Sequence, residues 1–421
     1  MSRCEPVVRD RHRHRCRQRQ RGVALVLVVV GLLAVLAMAG LALDASHMGY
    51  NKARLQTAVD AAALSAAKVL DQTNNTADAT AAAQATFNDN AAAFPELLRA
   101  VGQGLGLTVQ FANAPNPFTP GTTPRRFVRV IVTDFTTDAS LTRVLGVMRL
   151  PVRASAIAGP SPALTLACNI VPMAVCGDPA AAAPYFGYTP GRVHSLKTTS
   201  NGTAESGPGN YQLLSFTASG ANDLRQMMAG GYDGCVTRGD NVTTKPGQST
   251  GPTAQGINTR FNDYSGGGTD PIRYPPDVVL DEPSPTLTYD SKTNLIKQGG
   301  KTITLASQLG VNSTIYEADI AAKNYDVQPR PTGNGVPRRR ELAVPIVDCT
   351  GVQNGRTVLP ILGLGCFFLL QRASSSSAES RVFGEFISDC DAGGRPGSTP
   401  PGTTVGPYVI ELYRDFSSVD S

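Results

Sequence analysis

An apolar segment without charge near the N-terminus constrains the fold of this chain more than any other feature. It covers residues 22–43, which contain no Asp, Glu, Lys, Arg or His. As an α-helix, a segment of this length measures about 33 Å, and the hydrocarbon core of a bilayer is about 30 Å thick. The sequence therefore predicts a single transmembrane helix over residues 22–43.

The charges that flank this segment predict its orientation. Residues 1–21 hold eight Arg and two acids, whereas the whole chain of 421 residues has a net charge of only +5. A basic head before the span and Asp44 directly after it favour an N-terminus in the cytoplasm and an exported remainder. Because the rest of the chain is nearly neutral, the charge does not indicate nucleic-acid binding.

A cleaved signal peptide is the main alternative to a permanent span. Residues 37–39 form the A-x-A triplet that precedes signal cleavage, and the basic head resembles an n-region. The apolar segment is longer than the usual h-region of about 7–15 residues, which favours the membrane anchor. Both alternatives place residues 44–421 outside the cytoplasm.

Cysteine usage agrees with export. Cys4 and Cys16 lie in the basic head, and the other six lie beyond the apolar segment: Cys168, Cys176, Cys235, Cys349, Cys366 and Cys390. An even number in an oxidising compartment predicts up to three disulfides, although six cysteines allow fifteen pairings. Free buried thiols are the alternative. A zinc site is not expected, because there is no C-x-x-C pair and no neighbouring His.

The pattern after the span remains helical to about Leu70, with a possible bend at Gly49. One face carries apolar residues at helical spacing: Leu55, Val59, Ala62, Ala63, Ala66 and Leu70. Small residues let helices approach closely, so this face is a candidate for packing against partner helices. Two alternatives are that it covers strands of its own chain, or that it belongs to a plain membrane stalk.

Further along, the patterns predict an α+β fold. Residues 77–100 read as an Ala-rich helix broken near Pro95, and alternating residues at 107–111, 128–132 and 150–156 read as strands. A short helix is expected at about 138–146. We therefore predict a cytoplasmic head (1–21), a transmembrane helix (22–43), a small pilin-like α+β unit (44–160) and a disulfide-stabilised domain rich in strands and loops (161–421).

Within the last domain, residues 236–285 consist mostly of turn formers and are expected to be loops. Strands are expected at 302–305, 342–347, 358–370, 382–387 and 405–413. Residues 358–370 are too short for a second membrane span, so Pro360, Gly363 and Gly365 favour a pair of core strands there.

No motif predicts catalysis, a cofactor or a metal site. Residues 247–251 match G-x-S-x-G, but Pro246 and Pro252 enclose the match in a polar loop and no His follows it. His194 has no neighbouring Cys or His and is expected to be an ordinary side chain. The enzyme alternative is a cell-wall hydrolase that uses a pair of carboxylates brought together by the fold.

Residues 20–70 carry a family resemblance. They combine Gln-Arg-Gly at 20–22, the span ending in Gly-Leu-Ala-Leu-Asp at 40–44, and Leu-Gln-Thr-Ala-Val-Asp-Ala-Ala-Ala-Leu at 55–64. This segment, about 50 of 421 residues, resembles the N-terminal segment of the TadE/TadG-like proteins of bacterial Tad (Flp) pilus assembly. The Leu145–Gly146 pair before a strand, and residues 207–211, are similar to the same family.

Two features of related proteins are missing. Residues 44–48 fail the D-x-S-x-S metal motif of a von Willebrand factor A domain, and Leu27 stands where a prepilin has Glu. The resemblance implies a non-catalytic accessory component of pilus assembly or secretion in the bacterial inner membrane. Its implied partners are other pilus-assembly or pilin-like subunits, with the cell wall as a further candidate. An envelope adhesin using residues 236–285, and a cell-wall hydrolase, are the alternatives.

Overall fold

A computed structural model describes residues 21–197, 210–216, 220–350, 355–376, 381–397, 406–416 and 418. The expected basic head therefore lies outside the described residues, apart from Arg21. The helices are α1 (Arg21–Thr73), α2 (Thr76–Ala92), α3 (Pro95–Gly102), α4 (Ala221–Gly230), α5 (Thr250–Ile257) and α6 (Ser313–Ala322). The α+β fold, with a long N-terminal helix and a strand-rich C-terminal part, is confirmed.

The strands are short and numerous in the C-terminal part. They are β1 (Thr108–Ala112), β2 (Phe127–Asp138), β3 (Arg149–Pro160), β4 (Leu164–Ile170), β5 (Val175–Gly177), β6 (Val193–Lys197), β7 (Asn210–Leu214), β8 (Tyr232–Thr237), β9 (Asn241–Pro246), β10 (Leu287–Asp290), β11 (Leu295–Gln298), β12 (Lys301–Thr302), β13 (Glu341–Asp348), β14 (Val358–Leu369), β15 (Val382–Ile387), β16 (Asp389–Asp391), β17 (Gly394–Pro396), β18 (Gly406–Tyr408) and β19 (Ile410–Tyr413).

Two compact units divide the chain. The smaller unit contains the described residues up to Arg54 together with Asp134–Val152, and the larger unit contains Leu55–Thr133 and Arg153–Ser421. The boundary expected near residue 160 remains a prediction, since the contacts divide the chain at other positions.

Helix α1 is continuous over 53 residues, so Gly49 does not interrupt it. Large apolar side chains between Leu25 and Leu43 are 49–70% exposed, and the helix is long and apolar enough to cross a membrane. An apolar surface of this extent is typical of a segment whose solvent is lipid.

A four-stranded sheet has the order β1-β2-β3-β19. The three strands expected before residue 160 are confirmed as β1, β2 and β3. The fourth strand comes from the C-terminal end, where Ile410 pairs with Pro160 and Tyr413 with Ile157. Residues 405–413, expected to form one strand, instead provide two: β18 pairs with β16, and β19 pairs with β3.

The larger unit also contains a sheet of the order β5-β13-β14-β15-β6, with β9 pairing to β14 and β7 to β9. The strand pair expected at residues 358–370 is wrong, because β14 is one continuous strand of 12 residues. Its glycines serve close packing rather than a turn. A Cβ on Gly363 would lie 2.6 Å from a ring carbon of Phe186, and one on Gly365 would lie 3.1 Å from Ile346.

Residues 236–285 are not all loop, which corrects another expectation. They contain the last two residues of β8, all of β9 and α5, and a 3₁₀ helix at Asn258–Phe261. Pro252 is tolerated in α5 because it lies in the first turn, where its missing N–H has no intrahelical acceptor. Gly256 is required by packing, since a Cβ there would lie 2.4 Å from the carbonyl oxygen of Arg225 on α4.

Candidate functional site

The apolar face of α1 predicted from the sequence is covered by the chain itself. Its six members are at most 3% exposed: Leu55, Val59, Ala62, Ala63, Ala66 and Leu70. Beside them, Gln56 Nε2 donates a hydrogen bond to the backbone oxygen of Ser155 on β3, at 3.0 Å. This burial agrees with the alternative in which the face packs within its own chain. Contact with partner helices remains a prediction.

In the smaller unit, Asp44 joins α1 to a loop far along the chain. We call residues 139–149 the 139–149 loop. The Asp44 carboxylate accepts hydrogen bonds from the backbone N–H groups of Ser140, Leu141 and Thr142 at 3.0, 3.0 and 2.7 Å. It also accepts one from the Thr142 hydroxyl at 2.7 Å. Its side chain is thereby enclosed, and Asp44 is only 3% exposed.

The hydrogen bonds also set the charge of Asp44, which lies just beyond the apolar segment. The backbone N–H and the hydroxyl of Thr142 are the largest causes that lower the pKa of Asp44, to about 2, and the N–H groups of Ser140 and Leu141 add to them. The carboxylate is therefore ionised at neutral pH. A buried charge of this kind is stable only when its lone pairs are hydrogen-bonded, as they are here.

Gly40 makes room for the same loop. A Cβ at this position would lie 2.7 Å from the Cβ of Leu141, so a glycine is needed for the loop to approach the helix. The loop itself contains a 3₁₀ helix, Thr142–Leu145, which replaces the short helix expected at 138–146. Gly146 ends this turn in the left-handed conformation, with φ 88°. Gly40, Asp44 and Gly146 all belong to the segments that carried the family resemblance.

The outer surface of the 139–149 loop is apolar and basic. Leu141 is 47% exposed, Val147 41% and Met148 61%. Arg143 is exposed, and the side chain of Arg149 is 73% exposed. Large apolar side chains are thus grouped on a loop whose backbone is held against the end of the apolar segment of α1.

A polar cavity of about 520 Å³ lies in the larger unit, near the C-terminal end of α1. Tyr408 donates a hydrogen bond to Asp71 of α1 at 2.5 Å, and Arg338 pairs with Glu341 at 2.5 Å. Burial raises the pKa of Glu341 to about 7. Lys68 of α1 also pairs with Asp391 of β16. The contacts of Lys68 and Asp71 attach the last turns of α1 to the C-terminal strands β16 and β18.

The six cysteines that follow the apolar segment lie in three pairs at disulfide distance. Cys168 and Cys235 face each other on β4 and β8, with 1.93 Å between the sulfurs. The other pairs are Cys176–Cys349 at 2.01 Å and Cys366–Cys390 at 2.11 Å. The structure thus selects one of the fifteen pairings that the sequence left open. Across the described residues, no group of His, Cys, Asp or Glu could hold a metal ion.

His194 is enclosed by aromatic rings in the larger unit. Its ring centroid lies 4.8 Å from that of Tyr188 and 6.1 Å from that of Phe367. Burial is the main cause that lowers the pKa of His194, to about 4, and the charge of Arg192 adds to it. The imidazole is therefore neutral at neutral pH and serves as a packed side chain.

The G-x-S-x-G string has a local geometry that the sequence did not predict. Ser249 lies between strand β9 and helix α5 in the left-handed conformation, with φ 43°. The polar loop expected between Pro246 and Pro252 is therefore shorter than predicted, since Pro246 ends β9 and Pro252 lies in α5. This strand–turn–helix context resembles that of a nucleophile elbow. The described residues include two histidines, His47 and His194, and the ring of His194 packs against Tyr188 and Phe367.

The comparison with known proteins finds a family match in the N-terminal segment of the chain. No curated protein and no solved structure matches the chain. Residues 22–69 match the protein family described as "Putative Flp pilus-assembly TadE/G-like". This range includes Gly40, Asp44 and most of the apolar face of α1, and it confirms the resemblance found in the sequence. Over these residues the chain is similar to the Tad pilus-assembly TadE/G-like family.

Proposed function

We propose that this protein is a membrane-anchored accessory component of Tad (Flp)-type pilus assembly or secretion, with a structural and interactive role and no catalysis. The observation that carries the proposal is the family match over residues 22–69. It coincides with the exposed apolar part of α1 and with the two positions, Gly40 and Asp44, that hold the 139–149 loop.

The same proposal assigns an orientation. The N-terminal head stays in the cytoplasm, residues 22–43 cross the inner membrane, and the remainder lies in the periplasm. Two observations support it. Eight Arg precede the span, and Asp44 follows it. Three cysteine pairs at disulfide distance fit an oxidising compartment.

Other pilus-assembly or pilin-like subunits in the inner membrane are the proposed partners. Between Asn51 and Leu70, only Ala53 and Thr57 are exposed, so the apolar face is already occupied within the chain. A partner would therefore meet the exposed apolar part of α1 in the membrane more readily than the buried face. Small residues there, such as Gly31 and Ala34, allow close helix approach.

The decisive experiment deletes the gene and measures pili sheared from the cell surface. Pili should be lost and should return when the wild-type gene is restored. Complementation with Asp44→Ala tests whether the 139–149 loop matters, and Asp138→Asn is the matched control, because the Asp138 side chain is 65% exposed. Pili that persist in the deletion strain would refute the assembly role. Loss of attachment without loss of pili would favour the adhesin alternative.

Topology is tested separately. In spheroplasts, added protease should digest the larger unit, whereas intact cells should protect it. If the protein were found in the soluble periplasmic fraction with its N-terminus removed, the cleaved signal peptide would replace the membrane anchor.

A further inference from the structure

We propose that the 139–149 loop inserts its apolar side chains into the headgroup region of the bilayer on the side where the apolar segment of α1 ends. Lipid is then the occupant of the exposed surface formed by Leu141, Val147 and Met148. This inference rests on the proposed membrane anchor at residues 22–43 and adds a second contact with the same bilayer.

The first argument is depth. Leu141 packs against Gly40, which lies inside the apolar segment and four residues before Asp44, the first residue after that segment. At a rise of 1.5 Å per residue, Gly40 is about 6 Å along the helix from Asp44. Interfacial segments bury their apolar face about 5–10 Å into the boundary between headgroups and acyl chains. A span over residues 22–43 therefore brings the loop to that depth.

The second argument is hydrogen bonding. Irregular backbone is expensive at membrane depth because its N–H groups lose water. In this loop, the backbone N–H groups of Ser140, Leu141 and Thr142 donate hydrogen bonds to the Asp44 carboxylate. The two ends of the loop are also joined, since the Ala139 N–H donates to the carbonyl oxygen of Met148 at 3.1 Å. The donors at the start of the loop are thus satisfied without water.

The third argument is the chemistry of the outer surface. Leu141, Val147 and Met148 are 41–61% exposed, in agreement with an apolar solvent on that side. Arg143 and Arg149 flank them and can bind lipid phosphates, which guanidinium groups do with two parallel hydrogen bonds. Asp138 is an acidic residue next to this surface. It lies 4.0 Å from Arg149, and both side chains are more than half exposed, so the pair leaves the arginine accessible.

The chain contains no Trp, which makes a direct test possible. Full-length protein with a single indole is reconstituted into phosphatidylcholine–phosphatidylglycerol vesicles with lipids brominated at defined depths. Met148→Trp and Val147→Trp report on the loop. Leu33→Trp, at an exposed position in the middle of the apolar segment, reports on the span. Ile272→Trp, at a side chain 83% exposed, gives the emission of an indole in water.

The Met148→Trp and Val147→Trp indoles should emit at shorter wavelength than Ile272→Trp. Lipids brominated near the headgroups should quench them at least about twofold more than lipids brominated near the chain ends. Leu33→Trp should show the reverse order. If Leu33→Trp is quenched and both loop indoles emit as in water, the inference is overturned and the anchor stands.

If Leu33→Trp is itself not quenched, the membrane anchor fails, and the proposed function fails with it. A loop indole that remains water-like in vesicles of the pure protein, but shifts when a second membrane protein is added, would assign the surface to a protein partner and also overturn the inference. Two loop positions are used, so that misfolding of one variant does not decide the result.

Discussion

The Asp44 carboxylate accepts two hydrogen bonds from Thr142, one from the backbone N–H and one from the hydroxyl, both at 2.7 Å and across 98 positions of sequence. Asp44 is the first charged residue after the apolar segment. It is only 3% exposed, because its carboxylate is enclosed by the 139–149 loop that it holds. A residue that reads in the sequence as a membrane-boundary charge is a structural link within the smaller unit.

Asp44→Ala should release the 139–149 loop, because four donors lose their acceptor. Hydrogen exchange at the amides of Ser140, Leu141 and Thr142 should accelerate by about tenfold or more. Asp44→Asn, which keeps one acceptor oxygen, should fall between Ala and the wild type. Asp138→Asn is the control, and equal exchange in Asp44→Ala and Asp138→Asn would contradict the role of Asp44.

The same link should depend on pH in a defined direction. The pKa of Asp44 is lowered from 3.8 to about 2 in the folded protein. Stability from a lowered carboxyl pKa is fully present above the unfolded value and is lost as pH falls through the folded value. Protection of the loop amides, corrected for the intrinsic rate, should therefore be constant above about pH 4 and decline below it.

Gly40→Ala should displace the 139–149 loop, whereas Gly31→Ala should not. A Cβ at Gly40 would lie 2.7 Å from the Cβ of Leu141, and at Gly31 nothing lies within 4 Å. Both changes raise helix propensity by the same amount, about 1 kcal/mol, so the comparison isolates the steric effect. The measurement is amide exchange in the loop. Adding Leu141→Gly, which removes the opposing Cβ, should restore the position of the backbone; failure to do so would point to another cause.

Local patterns account for the elements that the sequence predicted correctly. The break between α2 and α3 follows from Pro95, and β1, β2 and β3 follow from alternation with a period of two. Such periodicities involve only neighbouring residues, so a single sequence reveals them. The family resemblance over residues 20–70 could also be recognised from the sequence, because it lies in one continuous segment.

Contacts between residues far apart in the sequence could not be predicted. Nothing local indicates that Asp44 binds Thr142, or that β19 pairs with β3. Arg340 also reads as a surface residue, yet it is fully buried and donates to the carbonyl oxygens of Val279, Leu369 and Leu370. Composition predicts a charged residue to be exposed, and only the tertiary fold provides the acceptors that make its burial possible.

The pairing of Cys168 with Cys235 is testable by a double-mutant cycle. In the chain-entropy model, a bond that closes a loop of this size contributes about 4 kcal/mol. Cys168→Ala should therefore lower the melting temperature strongly, and adding Cys235→Ala should lower it little further, since the bond is already absent. Cys235 is exposed, so its own packing contributes little. The mismatched double variant, Cys168→Ala with Cys349→Ala, breaks two bonds and should show nearly additive losses.

His194 should make the larger unit less stable in mild acid. The pKa of His194 falls from 6.5 to about 4 on folding, mainly because of burial. Burial of the neutral imidazole contributes its full share to the free energy of unfolding above pH 6.5, the pKa of the unfolded chain. As pH falls below that value, the unfolded chain binds the proton first and the folded state loses stability. The loss should accumulate between pH 6.5 and about 4 and reach roughly 3 kcal/mol.

His194→Phe removes this titration while keeping a ring between Tyr188 and Phe367. Glu341 titrates in the opposite sense, since its pKa is raised to about 7 and its contribution to the free energy of unfolding grows as pH falls. The quantity to compare is therefore the difference in melting temperature between the wild type and His194→Phe at each pH. The melting temperatures of the two full-length proteins are measured in detergent at several pH values. Plotted against pH, they should converge or cross as pH falls, because the variant loses less stability. Parallel curves would show that folding does not lower the pKa of His194.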